Sequence, residues 1–323
     1  MLHLSLDEIY NSVNFAVHNS VSSRQSRKGT IGAQKEFVPG FSSEIAIDAV
    51  NSSMHGLMGP NPVYEGVDSI IAQFLDGRGS SYTVQLATPG QDKLRNIMIT
   101  YPKEHSFEYQ GQAIIDLSLD MLPQVNDKGG IQEIEKILLR TSHHTHHVIG
   151  TGSNDPEKAN LNSPRGTLDH SIMFAVARSL ESGEWHHERS YLGISRNQAL
   201  AELIKKIETS FDQAWEARYH STDPKEQAFG GDMTIHFKDG SVISGEKAVA
   251  NAHVYGSNPW GRSEYINKFK DLTSDKVSSK ETERFISAVD GLEKLSGPEL
   301  AGLNVKMDID EPKNTAVRGI YFK

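Results

Sequence analysis

The sequence of 323 residues contains no cysteine. Disulfide bonds, thiolate nucleophiles and zinc sites built on thiolates are therefore excluded. Iron–sulfur clusters held by cysteine are excluded as well, so we do not expect an enzyme that uses such a cluster as its Lewis acid. Any catalysis by this chain must come from its other polar and ionisable side chains.

Two further patterns are missing. No apolar run approaches the roughly 20 residues that cross a membrane, and the segment Met1-Leu2-His3-Leu4 lacks the basic start of a signal peptide. Lys and Arg number 33 against 42 Asp and Glu, giving a net charge of −9, and no Lys/Arg-rich run occurs. We therefore predict a cytoplasmic protein that binds neither membranes nor nucleic acid. An acidic protein can still bind an anion where a few cations converge.

Helical periodicity alternates along the chain with segments of strand character. Ser5 and Glu8 form a capping box ahead of the first predicted helix. Further helices are predicted at 43–57, 67–75, 110–122, 168–180, 197–211, 262–272 and 280–295. Strands are predicted at 82–86, 96–101 and 134–149, with a hairpin over 232–247 that turns at Asp239-Gly240.

The order of these elements is helices, then a mixed block, then helices again. This order predicts an α+β fold in which an all-helical domain carries an inserted α+β lid domain. The helical domain is expected to comprise residues 1–78 and a return segment of 256–323. The lid is expected to comprise residues 79–255 and to contain an antiparallel sheet.

Four segments carry a resemblance to a known family. Their sequences are SRKGTIGA at 26–33, ITYPKEH at 99–105, LNSP at 161–164 followed by DHS at 169–171, and AHVYG at 252–256 followed by YINKF at 265–269. In this order and spacing they resemble segments of the MmgE/PrpD family. Members of that family include 2-methylcitrate dehydratase, cis-aconitate decarboxylase and iminodisuccinate epimerase.

The resemblance implies a lyase that removes water from 2-methylcitrate, a small tricarboxylate, to give 2-methyl-cis-aconitate. It implies no metal and no other cofactor. Decarboxylation and epimerisation stay open, because all three reactions begin at a carbon beside a carboxylate. Family members carry a further helical segment, with several catalytic Asp and His residues, ahead of the point where this sequence begins. We therefore expect a homodimer or a chain complemented by an N-terminal polypeptide, with a half-enzyme that is inactive alone as the alternative.

Dehydration needs a base, an acid, and cations that hold the substrate carboxylates. The resemblance indicates Lys28, ahead of a helix expected to begin near Thr30, and His105 as catalytic residues. It indicates five substrate-binding residues: Arg27, Tyr101, Asp169, His170 and His253. Structural interpretations stay open beside these roles: a solvated cation at Lys28, a salt bridge at Arg27, a structural histidine at His105, packing at Tyr101, a helix cap at Asp169-His170, and a domain-junction contact at His253.

Residues 143–147 contain four histidines, at positions 143, 144, 146 and 147. On a strand, His144 and His146 would point to one face, and His143 and His147 to the other. Each pair would then need ligands from elsewhere, so a solvated, pH-sensitive strand is favoured and no metal site is expected. A histidine-cluster metalloprotein is the alternative.

Overall fold

The computed structural model describes residues 2–20, 22–88, 90–91, 97 and 100–307. Its helices are α1 Leu6–Asn19, α2 Gln34–Met54, α3 Ile70–Phe74, α4 Gln112–Asp127, α5 His143–Val148, α6 Arg165–Leu168, α7 Ile172–Ser182, α8 Gln198–Lys205, α9 Gln213–Tyr219, α10 Arg262–Thr273, α11 Ser279–Asp290 and α12 Gly297–Ala301. Its strands are β1 Ile134–Thr141, β2 Ile207–Phe211, β3 Gly231–Phe237 and β4 Val242–Lys247. Within these described ranges, no helix is long and apolar enough to span a membrane.

The four strands form one sheet in the order β2-β1-β3-β4. β3 pairs with β1 and with β4 in antiparallel orientation, whereas β2 pairs with β1 in parallel. The fold is therefore α+β, as predicted. The predicted antiparallel pairing is present between β1, β3 and β4, whereas the parallel strand β2 makes the sheet mixed. The chain travels from β1 to β2 through several helices, which is the kind of connection that returns a strand in parallel.

The hydrophobic core lies between the sheet and three helices. β1 sits between β2 and β3, and its inward residues Ile134, Ile137 and Leu139 are fully buried. α4 packs against α7 and β4, and α7 packs against α8 and β2. Phe174 of α7 is buried with the strand residues in the same core cluster. This packed unit provides the rigid support for the loops that precede α4 and α7.

Helix caps formed by Ser142 and Asn197 explain why two observed elements differ from the predicted ones. The predicted strand 134–149 stops at Thr141, because the Ser142 hydroxyl accepts a hydrogen bond from the Thr145 N–H and begins α5. The histidine cluster therefore lies on a helix, and the strand prediction for it is wrong. Asn197 caps α8 in the same way, and the end of the predicted helix 197–211 is instead β2.

The remaining predictions of helices and strands are confirmed in part. The Ser5–Glu8 capping box is present, and the hairpin turns at Gly240 with a positive φ of 82°. α2 begins nine residues earlier than the predicted 43, at Gln34. Residues 82–86 form no strand. Half of the predicted strand 96–101 lies outside the described residues, and its described residues 97, 100 and 101 form no strand.

Truncating the central strand should destabilise the fold strongly. We expect Ile137→Ala to lower the free energy of unfolding by roughly 2–5 kcal/mol, because it leaves a cavity in a fully packed core. The matched control is Val242→Ala on β4, where the side chain is 49% exposed and a change within about 0.5 kcal/mol is expected. Urea unfolding measures both, and equal losses in the two variants would contradict this account of the core.

Candidate active site

A polar cavity of about 420 Å³ lies where α2, α6 and the segment before α4 meet. Three basic side chains, three carboxylates and one histidine contribute to its wall. The lining residues are Lys35, Glu36, Lys103, Ser106, Phe107, Glu108, Arg165, Asp169 and His170. Convergent cations in a space of this size can bind a small anion.

The fold brings these side chains together from distant parts of the sequence. Lys35 is the second residue of α2, and Arg165 is the first residue of α6. The two elements are held close because the Ile31 N–H donates to the Thr167 hydroxyl at 2.9 Å. Gly166 makes this approach possible, since a Cβ there would lie 2.4 Å from the carbonyl oxygen of Ile31.

Asp169, His170 and Lys35 form a hydrogen-bonded chain along the cavity wall. The Asp169 carboxylate contacts Nδ1 of His170, and Nε2 of His170 contacts the Lys35 amino group. Nδ1 also lies 2.9 Å from the carbonyl oxygen of Gly166. Because both of these partners are acceptors, Nδ1 carries the hydrogen and the Nε2 lone pair accepts from Lys35.

The surroundings of the Lys35 amine lower its pKa. Partial burial lowers the pKa of Lys35, and the positive charges of Arg27 and Lys103 lower it further. The carboxylates of Asp169 and Glu108 oppose this shift without cancelling it. A lysine with a depressed pKa, hydrogen-bonded to an oriented histidine, can accept a proton from a substrate.

His105 does not line this cavity. It is buried, and its Nε2 lies 2.7 Å from a carboxylate oxygen of Asp116. The other carboxylate oxygen of Asp116 accepts from the Asn251 N–H at 2.7 Å. The Gln112 side chain bonds the backbone of His105 in both directions. His105 thereby fixes the segment that carries Lys103, and its proposed catalytic role stays a prediction.

Tyr101 and His253 lie together in an aromatic cluster that does not line the cavity. Their ring centroids are 4.1 Å apart. Nδ1 of His253 accepts from the Tyr255 N–H at 3.1 Å, which places the hydrogen on Nε2. That Nε2–H is buried and has no partner among the described residues. Burial lowers the pKa of His253. Substrate binding by Tyr101 and His253 stays a prediction.

Arg27 and Lys28 are exposed and also lie outside the cavity lining. The Lys28 side chain has no hydrogen-bond or ion-pair partner in the described part of the chain, whereas the charge of Arg27 acts on Lys35. The next residue is anchored: the Gly29 N–H donates to Asp155 at 2.8 Å, and Asp155 pairs with the fully buried Lys158 at 3.2 Å.

Of the residues indicated by the sequence, the structure places Asp169 and His170 in the cavity. Sequence reasoning missed three cations of the cavity wall: Lys35, Lys103 and Arg165. Arg165 directly follows Pro164 of the third motif, and Lys103 belongs to the second. Lys35 was overlooked because it lies two residues beyond the first motif, which ends at Ala33.

Comparison with known proteins agrees with the resemblance found in the sequence. The family model described as the MmgE/PrpD C-terminal domain matches residues 105–294. The 2-methylcitrate dehydratase of Salmonella typhimurium strain LT2 is 26% identical over 246 residues, covering 75% of this chain and 48% of the relative. That of Escherichia coli strain K12 is 26% identical over 250 residues, with the same coverage. The chain thus spans about half the length of the curated relatives it matches.

The buried His253 should make the stability of the fold depend on pH. Because burial lowers its pKa below the ordinary 6.5, the unfolded chain takes up a proton near pH 6.5, at a higher pH than the folded chain does. The free energy of unfolding should therefore fall as the pH falls through this range. His253→Asn, which keeps an acceptor near the position of Nδ1, should show a shallower loss in urea unfolding between pH 7.5 and 5. The exposed His18→Asn is the control, and identical slopes in parent and His253→Asn would contradict the assignment.

Proposed function

The chain belongs to the MmgE/PrpD family, and we propose that it contributes the catalytic wall of a lyase that removes water from 2-methylcitrate. The observation that carries this proposal is the Asp169–His170–Lys35 chain in a cavity that also presents Arg165 and Lys103. These residues supply a proton acceptor and anion-binding groups in one small space.

The proposed reaction assigns a role to each group. The neutral Lys35 amine takes the proton from the carbon beside a carboxylate, and the electron pair left behind forms the carbon–carbon double bond. The hydroxyl on the neighbouring carbon leaves as water after it receives a proton from the Lys103 ammonium. Arg165 binds a substrate carboxylate through two parallel hydrogen bonds and stabilises the negative charge that builds there. The Asp169 carboxylate holds His170 in the tautomer that can share the proton gained by Lys35.

The lid arrangement expected from the sequence forms part of the same proposal. Lys35 belongs to residues 1–78, whereas Lys103, Arg165 and His170 belong to residues 79–255. A hinge between these parts would close the cavity over a bound anion, expel water and strengthen each charge contact. We retain a cytoplasmic location and 2-methylcitrate catabolism as expectations of this proposal.

A homodimer is the proposed assembly. The apolar surface of α2 supports it, because Phe37, Phe41 and Ile47 are all at least half exposed and large exposed apolar patches commonly mark interfaces. Sedimentation velocity should give the mass of two chains. The double variant Phe37→Ser/Phe41→Ser should shift the distribution toward one chain, while Val242→Ser on β4 should not. A monomeric parent at micromolar concentration would overturn this part of the proposal.

The decisive measurement of activity is an absorbance assay for the unsaturated product, with 2-methylcitrate, citrate and cis-aconitate tested in parallel. The chain is assayed alone and with an added polypeptide corresponding to the N-terminal half of a relative, so that a half-enzyme is recognised. Turnover of 2-methylcitrate in either mixture supports the proposal. Turnover of cis-aconitate alone would instead indicate the decarboxylase chemistry of the family, and turnover of none of the three would reject the lyase.

Variants then separate the two possible lysine bases. Lys35→Met should lower kcat by about 10²–10⁴, the usual contribution of a positioned general base. Lys28→Met removes an exposed lysine from the same region and is the matched control, while His105→Ala tests the buried histidine. In the parent, kcat should rise as the pH rises through the pKa of Lys35, which lies below its ordinary 10.5. Full activity in Lys35→Met together with a large loss in Lys28→Met would favour Lys28 as the catalytic lysine.

A further inference from the structure

We propose that His143 and His147 form a binding site for a divalent transition-metal ion of the zinc class, separate from the cavity described above. The two residues occupy positions i and i+4 of α5, which places their side chains on one face of the helix. Their imidazole rings are stacked, with centroids 4.0 Å apart and planes inclined by 27°. Both residues are exposed, so an ion has direct access to them.

The hydrogen bonds leave the correct nitrogen atoms free. Nδ1 of His147 lies 3.2 Å from the carbonyl oxygen of His143. A carbonyl can only accept, so Nδ1 carries the hydrogen and Nε2 presents a lone pair to solvent. Metal-bound histidines in proteins show this same arrangement, in which the second ring nitrogen donates to a carbonyl or carboxylate. The ring nitrogens of His143 have no hydrogen-bond partner in the described part of the chain.

The neighbouring histidines are not available in this way. Nδ1 of His146 lies 2.7 Å from the Thr209 hydroxyl, and its ring occupies the space beside Gly152. His144 stacks on Tyr219. In the helix, His146 and His144 are thus engaged by their neighbours, whereas His143 and His147 form a free pair.

A second group that contains histidines lacks the free ring-nitrogen lone pairs that a metal ion needs. Nitrogen and oxygen atoms of His186, His187 and Asp271 lie within 4.8 Å of one another. However, Nδ1 of His186 accepts hydrogen bonds from two backbone N–H groups, those of Glu188 and Arg189. Its Nε2 must then carry the hydrogen, so neither nitrogen offers a free lone pair.

Nearby groups are compatible with a bound cation. Glu216 accepts a hydrogen bond from the His143 N–H at 2.8 Å, and its other oxygen lies 3.1 Å from Nε2 of His220. Imidazole ligands suit zinc, copper and nickel. Two protein ligands leave the remaining positions of a tetrahedral ion to water, so the proposed ion exchanges with solvent and binds less tightly than in a structural site with four protein ligands.

The test is a zinc titration of the full chain. Binding is measured by isothermal titration calorimetry or by displacement of zinc from an indicator. We expect one Zn²⁺ per chain at this site. His143→Asn and His147→Asn should each weaken its binding at least about tenfold, because loss of one ligand of a chelating pair should cost no less than loss of an outer hydrogen bond. Zn²⁺ should raise the Tm of the parent more than that of either variant.

The exposed His18→Asn is the control and should bind zinc as the parent does. Two outcomes would overturn the proposal. Parent-like affinity and stoichiometry in both variants would place any bound zinc elsewhere. A loss of half the bound zinc in each variant, with unchanged affinity for the rest, would show two independent histidines and no chelate. Urea midpoints equal to that of the parent would establish that both variants fold.

Discussion

The buried carboxylate of Asp116 holds together the parts of the chain that surround the candidate site. It is 3% exposed, and a buried charge is tolerated only when hydrogen bonds satisfy it. One oxygen bonds His105, ahead of α4, and the other bonds the backbone of Asn251, after β4. A single side chain on a rigid core helix thus fixes two loops. One of these loops carries Lys103 to the cavity, and the other carries His253.

A second set of backbone contacts allows a polar cavity to form beside the closely packed core. Lys35 and His170 are 135 positions apart in sequence, yet their side chains are in contact. The helix α6 has only four residues and would not hold its position alone. The hydrogen bonds of Thr167 to the backbone of Gly29 and Ile31 bring the two elements together. The charge pattern of the cavity is thus a consequence of backbone anchoring at several separate points.

Features that depend on local chemistry could be predicted from the sequence. The hairpin at Asp239-Gly240 and the capping box at Ser5 each involve residues only a few positions apart, and both are present. The parallel pairing of β1 with β2 depends on contacts about 70 positions apart, and no local pattern encodes it. The β-branched and aliphatic residues of 134–149 favoured one long strand, but the single hydroxyl of Ser142 ends it and starts a helix.

The candidate site shows the same division. Asp169 and His170 were identified because they lie next to each other in a motif. Lys35 joins them only through tertiary structure, and its depressed pKa arises from burial and from two cations outside its own helix. A sequence can therefore suggest part of such a site, whereas the pKa of a lysine depends on which charges surround it in the folded chain.

The ion pair of Asp155 and Lys158 has a practical consequence for following the folded state. Most lysines of a protein project into water, where amine-directed reagents and trypsin reach them. Lys158 is 1% exposed, and its amino group pairs with the Asp155 oxygen that also accepts from the Gly29 N–H. Acylation of Lys158 would thus require the contact between Gly29 and Asp155 to open. Mass spectrometry of a labelled sample would therefore report how often residues 24–31 detach from the rest of the protein.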